Sequence, residues 1–183
     1  MAKTKQLSLF KDKIKPYFGG SMLKGNAKVR RPLTSKQAIH LVLKSELAKG
    51  EKSFLRKSNS KKIDRVIREQ ADRWGIKLYH LINVGNHIHL VIKIGDIHYF
   101  RPFICAITGV IARHITGAEK GAAKLIKFWQ ARPFTRLIAW GKDFDHISWY
   151  LKKNENQGQH RRNLFDWGFG ITDLNAIKSL NSG

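Results

Sequence analysis

The chain has 183 residues, 42% of them hydrophobic, with 35 Lys and Arg against 13 Asp and Glu, a formal net charge of +22 and an isoelectric point near 10.4. So large a positive excess calls for a polyanion, nucleic acid first and an anionic membrane surface second, whereas a membrane span is not expected, because no run of about 18 apolar residues exists. Met1-Ala2-Lys3-Thr4-Lys5 is not followed by a signal-peptide core, and Cys105, the single cysteine and the expected occupant of a core position, leaves no internal disulfide or Cys-rich zinc site and points to a reducing cytoplasm.

Residues 1–36 carry ten Lys and Arg, Arg30 and Arg31 among them, against Asp12 alone. With Pro16, Gly19, Gly20, Gly25 and Pro32 they read as a basic N-terminal arm, extended or partly disordered. The folded unit is expected over 37–157. Ala38-Ile39-His40-Leu41-Val42-Leu43 is strand-like, and a basic loop follows with Lys52, Arg56, Lys57, Lys61 and Lys62. Ile63, Val66, Ile67, Gln70 and Trp74 have helical spacing, ended by Gly75. Ile76–Asn83 and Asn86–Ile94 read as two strands joined by a tight hairpin at Val84-Gly85. On Ile76–Asn83, Tyr79 alternates with Lys77 and Leu81 and reads as a packing residue. Phe100–Ile115 is helical, with Phe103, Ile104, Ile107, Ile111 and Ile115 on one stripe. Phe128–Trp140 reads as a fourth strand broken near Pro133, with Trp140 in the core. A last helix follows, N-capped by Asp143 or Asp145 and fraying after Asn154. Residues 158–183 form a tail with weak signals. The order β-α-β-β-α-β-α predicts an α+β, ferredoxin-like or RRM-like antiparallel sheet backed by helices, with one sheet face left for a ligand.

Two constellations carry chemistry. In His87-Ile88-His89-Leu90 the period of two puts both histidines on one strand face, about 7 Å apart at Cα, and the apolar residues on the other. Two imidazoles so placed can converge on one divalent cation, although His-x-His alone is also the pattern of two ordinary strand histidines. Tyr150 and Asn154 stand four residues apart on the last helix, hence on one face, beside Lys152 and Lys153. A phenol titrates near pH ~10, so as a nucleophile it needs nearby positive charge or a base. Taken alone, Tyr150 is also what an amphipathic rim aromatic looks like. His40 on the first strand reads as structural, and Trp129, Arg132, Arg136 and Trp140 mix base-stacking with phosphate-binding chemistry.

Asn86-His87-Ile88-His89-Leu90 resembles the HUH motif of single-tyrosine HUH transposases, and Tyr150-Leu151-Lys152-Lys153-Asn154 resembles their nucleophile helix. Phe128-Trp129-Gln130-Ala131-Arg132 is similar to the Trp-Gln-x-Arg stretch of the REP-associated tyrosine transposases. Glu155 stands where that group has Pro, and Val84-Gly85 where it has Met-Pro. The resemblance covers roughly residues 37–157 and places the histidine strand centrally, with the tyrosine on a late helix. It implies a transposase that nicks and transfers single-stranded or hairpin DNA through a 5′-phosphotyrosine. Tyr150 would be the nucleophile, and His87, His89 and Asn154 would hold Mg²⁺ or Mn²⁺. No small-molecule cofactor or membrane is implied, and the protein would be a monomer or homodimer with its site in one chain or shared. Arg30, Arg31, Lys57, Lys61, Arg132, Arg136, Lys152 and Lys153 are the candidate nucleic-acid contacts. The competing expectation is a non-catalytic nucleic-acid-binding module on a ferredoxin-like sheet, which leaves the His pair and the Tyr-Asn pair as coincidences.

Overall fold

A computed structural model describes residues 16–20, 30–118 and 127–166, with side chains of the last helix described as far as Glu155. The elements are β1 (Tyr17–Phe18), β2 (Ala38–Lys44), α1 (Lys57–Arg73), β3 (Ile76–Asn83), β4 (His87–Ile94), α2 (Phe100–Thr116), β5 (Phe134–Ile138) and α3 (Lys142–Asp166). They build one five-stranded sheet in the order β1-β5-β2-β4-β3, antiparallel at every pairing. Its four long strands with α1 and α2 form the βαββαβ unit of a ferredoxin-like fold. β2 and β4 are the inner strands of those four, paired on both sides.

Strand alternation divides the side chains between two layers. Ile39, Leu41 and Leu43 of β2 and Ile88, Leu90, Ile92 and Ile94 of β4 face α1 and α2 and are essentially buried. α1 meets them with Ile63, Val66, Ile67 and Ala71, an i, i+3, i+4, i+8 stripe. α2 meets them with Phe100, Phe103, Ile107, Ile111 and Ile115, and ends at left-handed Gly117. Each fully buried Ile, Leu or Phe contributes about 1.5–3 kcal/mol, so this layer dominates stability. The opposite face is a smaller cluster in which Ala38, Ile82, Val84, Val91 and Ile138 are covered by Ile147 and Leu151 of α3.

A bulge in β3 separates the two phases of that strand. Leu78 pairs with Ile92, but His80, not Tyr79, pairs with Val91. The extra residue reverses alternation. Leu78 and Leu81 therefore pack toward the large core while Tyr79 packs toward α3. Tyr79 is a packing residue as expected, but it does not share a face with Leu81.

Other departures have local causes. The basic arm is drawn into the fold at two points. Tyr17 and Phe18 pair with β5, and the Arg31 guanidinium donates to the Pro133 carbonyl (2.9 Å) and Thr135 Oγ1 (2.7 Å) while stacking on Phe18 and Phe100. α1 starts at Lys57, so Lys57 and Lys61 are helical rather than in a loop. β5 is only Phe134–Ile138, since Pro133 has no N–H for a ladder. α3 runs through Gly158 to Asp166, well past Asn154. A helix-interior Gly costs about 1 kcal/mol against Ala and does not by itself stop a helix. Asp143 is not its cap. It lies in the first turn and accepts from Arg136 Nη2 and the Ala139 N–H. Cys105 is exposed, because helical rotation turns it away from the Phe103–Ile107 stripe. Trp140 is 47% exposed, held through Nε1 to the Lys36 carbonyl. Residues 1–15 and 21–29 of the arm, and the tail beyond 166, lie outside the described residues.

Candidate nucleic-acid cleavage site

The geometry begins with β4. His87 and His89 lie on its α3-facing side, opposite Lys44 and Val42 of β2, and their ring centroids are 4.8 Å apart. α3 crosses that face because Ile147 and Leu151, one turn apart, bury themselves against it. Leu151 is fully buried, which holds its neighbour Tyr150 at the rim, 45% exposed. The Tyr150 ring meets His89 edge-to-face, centroids 6.1 Å apart. The histidine pair and the tyrosine thus converge within one chain. Asn154 lies one turn further along the helix, its Nδ2 donating to the Tyr150 carbonyl at 3.1 Å, and no contact with the histidines is seen.

Each imidazole is held through Nδ1. His87 Nδ1 lies 2.7 Å from Asn86 Oδ1. His89 Nδ1 lies 3.0 Å from Nε2 of His40. His40 sits on the same sheet face, paired with Val91 and Arg136. Burial, reinforced by His40 and His87, lowers His89 to about 3. Burial, reinforced by Arg136, lowers His40 to about 4. Both rings are therefore neutral at physiological pH, the form that ligates metals. His89 Nε2 is buried without a hydrogen-bond partner among the described residues, a condition that costs about 1–3 kcal/mol unless something supplies one. A cation at Nε2 would supply it, so the residues fit a divalent ion. Among the described residues no group of three or more His, Cys, Asp or Glu could hold a metal ion, and the donors brought together here are the two imidazoles.

His40, read from the sequence as structural rather than as a neighbour of the site, is in contact with His89. Its partner is 49 positions away, and only the β2–β4 register brings them together. His80, brought to the same face by the bulge, lies 3.0 Å from Ser148 Oγ through Nε2. Burial lowers its pKa, as does Lys152, against Glu155.

The basic candidates divide. Lys152 and Lys153 flank Tyr150 in sequence and are exposed; Lys153 Nζ sits 5.7 Å from the ring of Trp149, itself 67% exposed. Arg136 is on the histidine face but is ion-paired with Asp143 at 2.5 Å. Arg30 and Arg132 are exposed. Arg31 is engaged in anchoring the arm, and burial, with Arg132 nearby, lowers its pKa to about 10. Lys57 and Lys61 are exposed on α1, the opposite layer from the histidines. The start of that helix is tied to the β3–β4 turn by the Phe54 N–H to Gly85 carbonyl bond. Trp129 packs on Phe54 and Phe128, a core role rather than a stacking platform.

Comparison with known proteins gives a consistent picture. The family model described as "Transposase IS200 like" matches residues 34–154. A solved structure of a REP-associated tyrosine transposase bound to a REP hairpin superimposes with a TM-score of 0.53 at 15% identity, covering 79% of this chain and 76% of that one. A chain from Deinococcus radiodurans R1, described as a candidate transposase, aligns with a TM-score of 0.41 at 18% identity over 70% of this chain and 98% of its own. No curated protein matches.

Proposed function

The chain belongs to the IS200-like transposase family, and from that premise we propose that it is a single-tyrosine HUH enzyme that nicks single-stranded DNA at a hairpin and transfers the strand. The observation that carries this reading is the meeting of Tyr150 with His89, and of His89 with His87, on one sheet face of one chain. Hairpin DNA as substrate is supported by the fold shared with a hairpin-bound tyrosine transposase and by the net charge of +22.

The Tyr150 phenolate oxygen attacks the scissile phosphorus. The bond from phosphorus to the 3′ oxygen breaks, the phenolic proton is given up, and the leaving oxygen takes a proton to become a free 3′-OH. The DNA stays linked to the protein as a 5′-phosphotyrosine. Because the phosphodiester energy is kept in that link, a second 3′-OH reverses the step without ATP. His87, His89 and Asn154 would hold Mg²⁺ or Mn²⁺, whose charge polarises the phosphate when bound. Lys152 and Lys153, exposed on the helix that carries Tyr150, would neutralise backbone phosphates. Leu151, buried beneath Tyr150, fixes the direction of attack.

A denaturing gel of a hairpin oligonucleotide incubated with protein and Mn²⁺ tests the reading. Wild type is expected to give a covalent protein–DNA band. Tyr150→Phe is expected to lose it by several orders of magnitude while still shifting DNA in a native gel. A band that persists in Tyr150→Phe overturns the assignment. Wild-type binding with no band at all favours a non-catalytic module.

A further inference from the structure

We propose that His40 and Asn86 are positioning residues that fix both imidazoles of the pair in one tautomer, proton on Nδ1 and lone pair on Nε2. The inference rests on the reading of His87 and His89 as cation ligands and names what orients them.

For His87 the argument is short. Its Nδ1 lies 2.7 Å from Asn86 Oδ1. An amide oxygen only accepts, so Nδ1 carries a proton, and in the neutral ring that a ligand must be, the lone pair is on Nε2.

For His89 two arrangements share the one proton between its Nδ1 and His40 Nε2, 3.0 Å apart. The ring planes differ by only 11° with centroids 5.2 Å apart. That separation is what two coplanar rings joined through their nitrogens must have, so this is an in-plane hydrogen bond rather than a face-on stack. If His40 donates, His89 Nε2 carries a proton that is buried with no acceptor. If His89 donates, the buried Nε2 carries a lone pair. Both orphans cost free energy in the empty protein, but only the second is relieved by a cation. The in-plane bond also aims Nε2 directly away from β2. His40 is therefore to His89 what Asn86 is to His87, an acceptor behind the ligand that sets tautomer and ring direction.

The two acceptors differ in kind. Asn86 is the sequence neighbour of its ring. His40 reaches across the β2–β4 ladder from a diagonal position, two residues along β2 from Val42, which pairs with His89. The His89 orientation thus depends on strand register, and that of His87 on the turn.

Histidine side-chain ¹⁵N–¹H correlation spectra of cation-free protein test the assignment without any activity. Wild type is expected to show both rings protonated at Nδ1. His40→Phe keeps a buried aromatic ring but offers no acceptor. It is expected to shift His89 toward the Nε2-protonated form and to weaken Mn²⁺ binding, read by electron paramagnetic resonance, by about 10–100-fold. His40→Gln restores an acceptor and is expected to recover most of that loss. Asn86→Ala and Asn86→Asp make the matching pair for His87. Wild-type His89 protonated at Nε2, or unchanged Mn²⁺ affinity in His40→Phe, overturns the inference. If wild type shows both Nδ1 protons yet neither binds Mn²⁺ nor forms the adduct, the tautomers stand and the functional reading falls. Mn²⁺-dependent nicking with the opposite tautomers does the reverse.

Discussion

The two faces of the sheet are built from the same strands and do different work. The face toward α1 and α2 is sealed by Ile, Leu and Phe, with the polar groups on that side engaged, as Asn59 is through Nδ2 to the Glu51 and Ser53 carbonyls. The face toward α3 has a small apolar patch, and beside it stand four histidines, His40, His80, His87 and His89, one with a buried nitrogen that has no partner among the described residues. One face can hold the chain folded while the other carries an unfavourable arrangement that suits a cation and a phosphate. A site with an unsatisfied buried atom is affordable only because the opposite layer supplies the stability.

That division can be broken experimentally. Phe103→Ala in the sealed layer is expected to cost about 3–5 kcal/mol in urea denaturation and to leave adduct formation per folded molecule unchanged. Leu151→Ala is expected to lie at the low end of the roughly 2–5 kcal/mol range for such truncations. It should also slow adduct formation by up to about 100-fold, because it loosens the nucleophile. Equal effects of the two on rate per folded molecule would erase the contrast.

Acid should also select the histidine face. Above about pH 6.5 His40 and His89 are neutral in both the folded and unfolded chain and add no pH dependence. Below it the unfolded chain takes up protons that the folded chain refuses, since its rings titrate at about 4 and about 3. Stability is therefore lost as pH falls from about 6.5 toward 4, approaching about 1.4 kcal/mol per pH unit for each ring. Denaturation midpoints at several pH values check this, and His40→Phe should flatten the slope. A slope unchanged in that variant would remove His40 from the account. The smallest effect belongs to solvent. Asp64→Ala removes the exposed α1 ion pair with Arg68 and should change stability by no more than about 0.5 kcal/mol, with unchanged DNA binding in a native gel.

Sequence periodicity carried much of this. The alternation of His87-Ile88-His89-Leu90 gave the correct faces. Tyr150 stood out through its resemblance to a family's nucleophile helix, and periodicity added only that Asn154 shares its face. What was not legible depends on pairing across the sheet or on partners far along the chain. His40 looks structural until β2 is laid against β4. Arg31 reads as one more basic arm residue until Pro133 and Thr135 are beside it. Cys105 and Trp140 look apolar enough for a core, but helix rotation and the end of β5 place them outside it. The reach of α3 past Gly158 is also hidden, because a single glycine is a weak stop.

The bulge in β3 has a consequence beyond local geometry. By adding one residue at Tyr79 it lets the same strand serve the sealed layer at Leu78 and Leu81, and grip α3 through Tyr79, His80 and Ile82. Ser148, the residue gripped by His80, stands two positions before Tyr150. The azimuth of the proposed nucleophile is thus keyed to a residue count in a strand that holds none of the candidate ligands. A side-chain change at Tyr79 leaves that count intact. Loss or gain of one residue there alters it, so this stretch of β3 is tolerant of spelling and intolerant of length.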